Sequence, residues 1–123
     1  MKFTTLPILF AAATAVTAEE FERLHLPSPQ NWIAGSRLFP GSIIAGYNAD
    51  YDKYDAKSWA QHVLTQCKGY EACTSSLSFS GINSGTPKER AWFGYVFRGG
   101  KTKESDFQRA DDVEDSVVYV KDD

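Results

Sequence analysis

Two cysteines at a short, defined spacing are the sharpest chemical signal in the sequence. Cys67 and Cys73 enclose Lys-Gly-Tyr-Glu-Ala and are the only cysteines of the chain. In an exported protein such a pair is expected to be a disulfide, because oxidising compartments keep thiols paired. The bridge would close a short loop and add about 2–2.5 kcal/mol of stability in the chain-entropy description. The alternatives are free thiols or a metal site, but a metal needs more ligands, and His25 and His62 lie far away in the sequence.

The sequence offers no nucleophile, base and orienting group in a known catalytic pattern. Gly-x-Ser-x-Gly is absent, and His62 borders the apolar stripe of a predicted helix, as a partly covered structural histidine does. Asp50, Asp52 and Asp55 crowd one segment but lack the glycine and the closing glutamate of a calcium loop. A second acidic cluster, at 111–115, has the composition of a solvated loop. We therefore expect no catalysis, no cofactor and no metal, with a small secreted hydrolase or enzyme inhibitor as the alternative.

Three tyrosines are the first candidates for a ligand surface. Tyr47, Tyr51 and Tyr54 flank the acidic segment just before the predicted helix. Flat rings next to Asp and Asn are typical of sugar-binding and peptide-binding surfaces, because the ring supplies apolar area and the polar neighbours supply direction. Their alternative role is to pack the start of the helix onto a sheet.

A local run of basic residues is the second candidate. Arg98, Lys101, Lys103 and Arg109 lie in or beside a charged loop predicted for 99–112, which is long enough to be a binding or mobile element. We expect Arg98, Lys101 and Arg109 to recognise an acidic glycan or an acidic partner; the alternative is a solvated loop. The net charge of −3 and the lack of a basic stripe exclude nucleic acid as a partner.

The first 18 residues have the pattern of a secretory signal peptide. Lys2 precedes an apolar run at 6–16, and Val-Thr-Ala at 16–18 fits the small-x-small cleavage site. The run has 11 residues, whereas a membrane span needs about 20, and no other stretch is long enough to span. The sequence therefore predicts a secreted, extracellular protein with no membrane span and one mature domain at 19–123.

The elements that must position these residues follow from hydrophobic periodicity. A helix is predicted after Asp55, because apolar residues recur at 56, 59, 60, 63, 64 and 67, and Gly69 is expected to form a left-handed cap. Strands are predicted at 32–34, 42–47, 73–81, 91–98 and 116–121, with a short element at 21–26. The strand at 73–81 alternates apolar residues with Thr and Ser, which indicates one buried face and one polar face. The strand at 91–98 is apolar on both faces and is expected to be central.

The run SWAQHVLTQCKGYEACTSSLSF at 58–79 resembles the centre of PAN/apple domains. The later run WFGYVFRGG, the aromatic Phe107 and the closing segment 113–119 are similar to the second half of PAN-like secreted proteins, fungal ones in particular. The resemblance implies an α+β fold in which a curved antiparallel sheet cradles one helix. Apple domains usually carry a further helix cysteine where this chain has Val63; its partner cysteine is absent too, as is the pair that joins the domain's ends.

The resemblance implies binding to an extracellular protein or carbohydrate without catalysis. We therefore expect a secreted binding module, with an effector-like action on a host as one form of it. A self-associating surface protein, joined through the strand that contains Trp92 and Phe97, is a further alternative. The sequence leaves the oligomeric state open.

Overall fold

Seven strands and one α-helix make up the part of the chain that the structure describes. The structure is a computed structural model and describes residues 21–85 and 87–121, so the signal peptide predicted at 1–18 lies outside it. The elements confirm the predicted α+β class and a single domain with one helix and antiparallel sheets. In chain order they are β1 (Phe21–Leu24), β2 (Trp32–Ala34), β3 (Ile43–Asp50), α1 (Ala56–Lys68), β4 (Ser75–Ile82), β5 (Arg90–Phe97), β6 (Phe107–Arg109) and β7 (Glu114–Lys121), with 3₁₀ turns at Tyr51–Lys53 and Glu104–Asp106.

The strands form one large and one small antiparallel sheet. The five-stranded sheet has the order β1-β7-β4-β5-β3, so β4 and β5 are internal and β1 and β3 are its edges. β5 is central, as its two apolar faces predict. The small sheet pairs β2 with β6, with Trp32 opposite Arg109. The prediction of an irregular loop over 99–112 is therefore wrong in part. Phe107 is buried and begins the short strand β6, which belongs to the small sheet.

The start of α1 forms as its sequence predicts. Asp55 and Ser58 make a capping box: the Ser58 N–H donates to the Asp55 carboxylate at 2.7 Å, and the Asp55 N–H donates to Ser58 Oγ at 3.0 Å. The C-terminal end differs from the prediction. Gly69 has φ −81° and is right-handed, because the last turn tightens and the N–H groups of Gly69 and Tyr70 donate to carbonyls three residues back. No helix among the described residues is long and apolar enough for a membrane crossing.

Small residues in β4 and β5 form the surface on which α1 packs. Ser76 and Ser78 of β4 lie in register with Val96 and Gly94 of β5, and Val63 of α1 packs onto this face. Residues 75–81 are all buried, so the prediction that β4 exposes a polar face is wrong. The serine face is covered because short side chains let the helix approach an internal strand closely.

The two cysteines form the predicted disulfide. The Cys67–Cys73 bridge joins the last turn of α1 to the segment that enters β4, with Cα atoms 5.4 Å apart. Both sulfurs are buried in the same cluster as Trp59, Val63 and Trp92. The bridge therefore fixes the end of the helix against the sheet.

A second hydrophobic cluster fills the opposite face of the large sheet. Leu77 of β4 and Val118 of β7 pack there against Trp32 and Phe107 of the small sheet. Leu38, in the β2–β3 connection, is fully buried in the same cluster. The small sheet contacts β4 and β7, and the aromatic residues of β5 border the region it covers.

Candidate functional site

The face of the large sheet opposite α1 carries an aromatic groove. Its floor is formed by Phe79 of β4 and by Phe93 and Tyr95 of β5, which alternate with the helix-facing residues of the same strands. The Phe79 and Phe93 rings stack with centroids 5.7 Å apart and 28° between their planes. The Phe79 and Tyr95 rings lie at 6.4 Å and 31°. Phe79 is buried in the core, so the open aromatic surface of the groove comes from Phe93 and Tyr95, which are half-buried.

The groove consists of two adjoining depressions that share Phe79 and Tyr95. One, of about 150 Å³, is closed by Ile33, Ala34 and Phe39. The other, of about 340 Å³, has walls formed by Gly81, Ile82, Phe93, Asp111, Asp112 and Val113. The larger volume is at the lower end of the range of about 300–1,000 Å³ typical of ligand pockets.

Two apolar side chains at the rim are open to solvent. Phe39 is 49% exposed and Ile82 is 44% exposed. Phe39 meets the Tyr95 ring edge to face at 5.8 Å. A Cβ at Gly81 would lie 3.6 Å from the Phe79 ring, so the glycine leaves the floor uncovered beside the rings.

Polar groups without partners surround this apolar floor. Within residues 21–85 and 87–121, neither the Tyr95 hydroxyl nor the carboxylates of Asp111 and Asp112 make a hydrogen bond or an ion pair with protein. Asp112 has φ 64°, a left-handed conformation that aspartate tolerates better than most residues. The groove thus combines flat rings with one hydroxyl and two acidic groups that remain available to a ligand.

The three predicted tyrosines lie on the other face, and two of them, Tyr51 and Tyr54, lie around the start of the helix. Tyr51 stacks on Trp92 at 5.1 Å and is 44% exposed. Tyr54 meets Trp59 edge to face at 4.8 Å. These contacts match the alternative in which tyrosines pack the helix start onto the sheet. A role for them in ligand binding stays a prediction.

Tyr47 makes a different contact from those of Tyr51 and Tyr54. Its hydroxyl donates to the hydroxyl of Tyr70, just after α1, at 3.4 Å. Burial raises the pKa of Tyr47 to about 12, and the hydrogen bond to Tyr70 adds to the rise. Tyr47 therefore remains neutral under ordinary conditions and acts as a hydrogen-bonding group.

The predicted basic residues do not form one patch, because each meets a different part of the fold. Arg98 donates to the carbonyls of Gly41 and Ile43 at the start of β3. Lys101 pairs with Glu22 of β1 at 3.7 Å. Arg109 lies 4.0 Å over the Trp32 ring and donates to Pro29 O and Asn31 Oδ1. Their proposed role in recognising an acidic ligand stays a prediction.

A buried carboxylate anchors the 99–112 segment instead. Asp106 is 5% exposed, accepts from Arg37 Nε and from the Lys103 N–H, and so ties the segment to the β2–β3 connection. The hydrogen bond from Arg37 holds the pKa of Asp106 below its ordinary value.

His62 lies among aromatic rings. It stacks on Trp59 at 5.3 Å and lies 5.4 Å from Tyr54, and no hydrogen bond joins it to a hydroxyl or a carboxylate of the described residues. Across residues 21–85 and 87–121, no group of three or more His, Cys, Asp or Glu side chains is arranged to hold a metal ion.

A larger cleft of about 460 Å³ lies between α1 and β7. Two of its polar groups are hydrogen-bonded to each other, since the Gln61 amide donates to the Tyr119 hydroxyl at 3.1 Å. Asp115, at its edge, accepts from Ser80 Oγ. This cleft lacks the combination of open rings and unpartnered acids that distinguishes the aromatic groove.

The sequence feature that corresponds to the groove is the aromatic content of β4 and β5. Phe79 is indeed buried in the core, and β5 is central, but Phe93 is only half-buried. The small sheet has only three residues per strand, however, and leaves the Phe93 and Tyr95 rings half-buried. An excess of aromatic residues over the available cover was therefore the sequence feature that pointed to a binding face.

Comparison with protein-family models, with curated proteins and with solved structures finds no match for this chain. The aromatic groove and the disulfide-linked helix are therefore the features from which a function can be inferred.

Proposed function

We propose that this chain is a non-catalytic binding module that works outside the cell and holds a carbohydrate in its aromatic groove. The observation that carries the proposal is the juxtaposition of the half-buried Phe93 and Tyr95 rings, which pack on the buried Phe79, with the unpartnered Tyr95 hydroxyl and the Asp111 and Asp112 carboxylates. Two acidic groups at one wall of the groove would favour a neutral or basic sugar and disfavour an acidic one.

Carbohydrate chemistry fits both parts of this arrangement. A sugar ring presents apolar C–H groups on its face, which stack on an aromatic platform, and hydroxyls at its edge, which donate to carboxylates and bond to a phenol. A groove open at its rim suits an internal segment or an end of a longer glycan. An extracellular protein is the other ligand class to test.

The PAN/apple-like character and the extracellular location belong to the same proposal. The disulfide that links the end of the only described helix to the next strand supports both, because such bridges persist in oxidising compartments. The order of helix, bridge and antiparallel strand is the pattern on which the resemblance to PAN/apple domains rests.

The test is titration of the secreted, oxidised protein with soluble neutral, amino and acidic oligosaccharides, combined with retention on insoluble polysaccharides. Tyr95→Phe removes only the free hydroxyl and should weaken binding by roughly 2–10-fold. Asp112→Asn keeps shape and backbone preference but removes the charge, and should weaken binding by roughly 10–100-fold. Tyr51→Ala, on the opposite face, is the matched aromatic control and should bind normally.

Three results would overturn this proposal. If Tyr51→Ala abolishes binding while Tyr95→Phe and Asp112→Asn do not, the ligand lies at the predicted tyrosines. Retention of an extracellular protein without any glycan binding would make the module a protein binder. Turnover of a bound glycan that is lost in His62→Ala at unchanged stability would establish the hydrolase alternative.

A further inference from the structure

The strand β3 is a long sheet edge with little protection. It spans eight residues, Ile43–Asp50, and in the part of the chain that the structure describes only β5 pairs with it. Residues 43–49 include no charge and no proline, two of the devices that keep an edge strand from pairing, and the register irregularity in the pairing of β3 with β5 lies at its start, between Ile43 and Ala45. The other edge, β1, has four residues, two of which, Glu22 and Arg23, are charged and exposed.

Exposed aromatic residues surround this edge. Tyr51 follows β3 directly, Tyr70 accepts a hydrogen bond from Tyr47 of β3, and Phe39 packs on Tyr95, whose ring lies beside Gly46. These are three of the four large apolar side chains that are exposed among the described residues. Their concentration at one edge is typical of a protein interface.

The two ends of β3 carry opposite charges. Asp50 ends the strand and is exposed, and its carboxylate does not cap the 3₁₀ turn that follows. At the other end, the Arg98 guanidinium lies against the carbonyls of Gly41 and Ile43. A second strand of the same sequence, running antiparallel, would place each charge beside its opposite.

We infer that β3 pairs with β3 of a second copy of this chain, antiparallel and about its centre near Gly46 and Tyr47. The pairing is self-complementary, as a twofold interface requires, and brings Asp50 of each copy next to Arg98 of the other. The two five-stranded sheets become one continuous sheet. Because the twofold axis is perpendicular to that sheet, both helices lie on one side and both aromatic grooves on the other.

This interface replaces the self-association predicted through the strand that contains Trp92 and Phe97. β5 pairs with β3 on one side and with β4 on the other, so its backbone is already satisfied. β3 is an edge strand, and apart from the Ile43 carbonyl, which accepts from Arg98, its outer backbone groups have no strand partner among the described residues.

The experiment is sedimentation of the oxidised protein over a dilution series, with circular dichroism to verify folding of each variant. The wild type should dissociate from dimer to monomer on dilution and dissociate more readily at high salt. Asp50→Lys and Arg98→Glu should each weaken the dimer by about tenfold, since each changes two symmetric attractions into repulsions. The combined Asp50→Lys/Arg98→Glu variant should recover the dimer, and Arg23→Glu on β1 is the matched charge control.

Asn48→Lys gives an independent test because it places two lysines near the axis without involving Arg98, and it should abolish the dimer. Hydrogen exchange adds a direct readout, since β3 amides should become more protected as concentration rises. A monomer at every concentration overturns the inference, whether the edge then stays free or takes up a strand of another protein. A dimer that Asp50→Lys, Arg98→Glu and Asn48→Lys all leave unchanged overturns it too. Binding by the aromatic groove is measured separately, so either proposal can fail alone.

Discussion

Gly94→Ala tests the closest contact between α1 and the sheet. An added Cβ at this position would lie 2.5 Å from Val63 Cγ2 and 3.2 Å from Val63 Cγ1. Carbon atoms pack at about 3.5–4.0 Å, so one partner must move by about 1 Å. Val63 is completely buried and, as a β-branched residue, has one preferred helix rotamer. The helix must therefore shift, together with the cluster beneath it.

The expected cost is about 1–3 kcal/mol, the usual price of one extra methyl group in a well-packed core. Replacing a strand glycine also lowers the conformational entropy that the backbone loses on folding, and this offsets at most about 0.5–1 kcal/mol of the cost. The urea midpoint should fall accordingly, and Tm by roughly 5–20 °C for a domain of this size.

A double-mutant cycle assigns the effect to the contact. Val63→Ala removes two methyl groups, which costs about 1.6 kcal/mol in transfer free energy and more for the cavity. The methyl group of Gly94→Ala would enter that space, so the double variant should be at least about 1 kcal/mol more stable than the sum of the single changes.

Gly81→Ala is the matched control. Gly81 is also a buried strand glycine, but its added Cβ would meet ring atoms at 3.6–3.7 Å, which is ordinary contact, so its stability should change by less than about 0.5 kcal/mol. Equal urea midpoints for Gly94→Ala and the wild type, or strict additivity in the cycle, would refute the close seating of α1 on β5.

Three further measurements test individual groups. Replacing Cys67 and Cys73 by serine together should lower the free energy of unfolding in urea by at least about 2–2.5 kcal/mol, because the two buried hydroxyls add a desolvation cost to the lost loop closure, and reductant should have no effect on that variant. The lowered pKa of Asp106 means that its stabilisation is complete above the unfolded value of 3.8 and is lost as pH falls through the lower folded value. The stability difference between wild type and Asp106→Asn should therefore shrink below pH 3.8. Tyr47 should ionise near its raised pKa of about 12, and Tyr70→Phe should bring that pKa closer to 10, as tyrosinate absorbance would show. Folding stability should decline as pH rises from 10 to 12, because in that range the Tyr47 hydroxyl ionises in the unfolded chain but stays neutral in the folded one.

The sequence by itself determined the features that depend on neighbouring residues. The Asp55 cap and the 3.6-residue spacing placed α1, because a helix needs only residues within one or two turns to define its start and its buried face. The short separation of Cys67 and Cys73 made their bridge predictable for the same reason. Alternation over a few residues identified the strands, including the two faces of β5.

Only the tertiary structure decided what covers each face. The serines of β4 have the pattern of a solvent-exposed face, but α1 packs on them. This happens because β4 is an internal strand and Val63 of α1 fits against Gly94 of β5. Phe107 begins a strand that no local alternation marks, since its partner Ala34 is remote in the sequence. The groove exists because the small sheet leaves Phe93 and Tyr95 partly open, and β3 is an edge because of strand order. Both properties depend on contacts between distant segments, which local patterns of hydrophobicity do not encode.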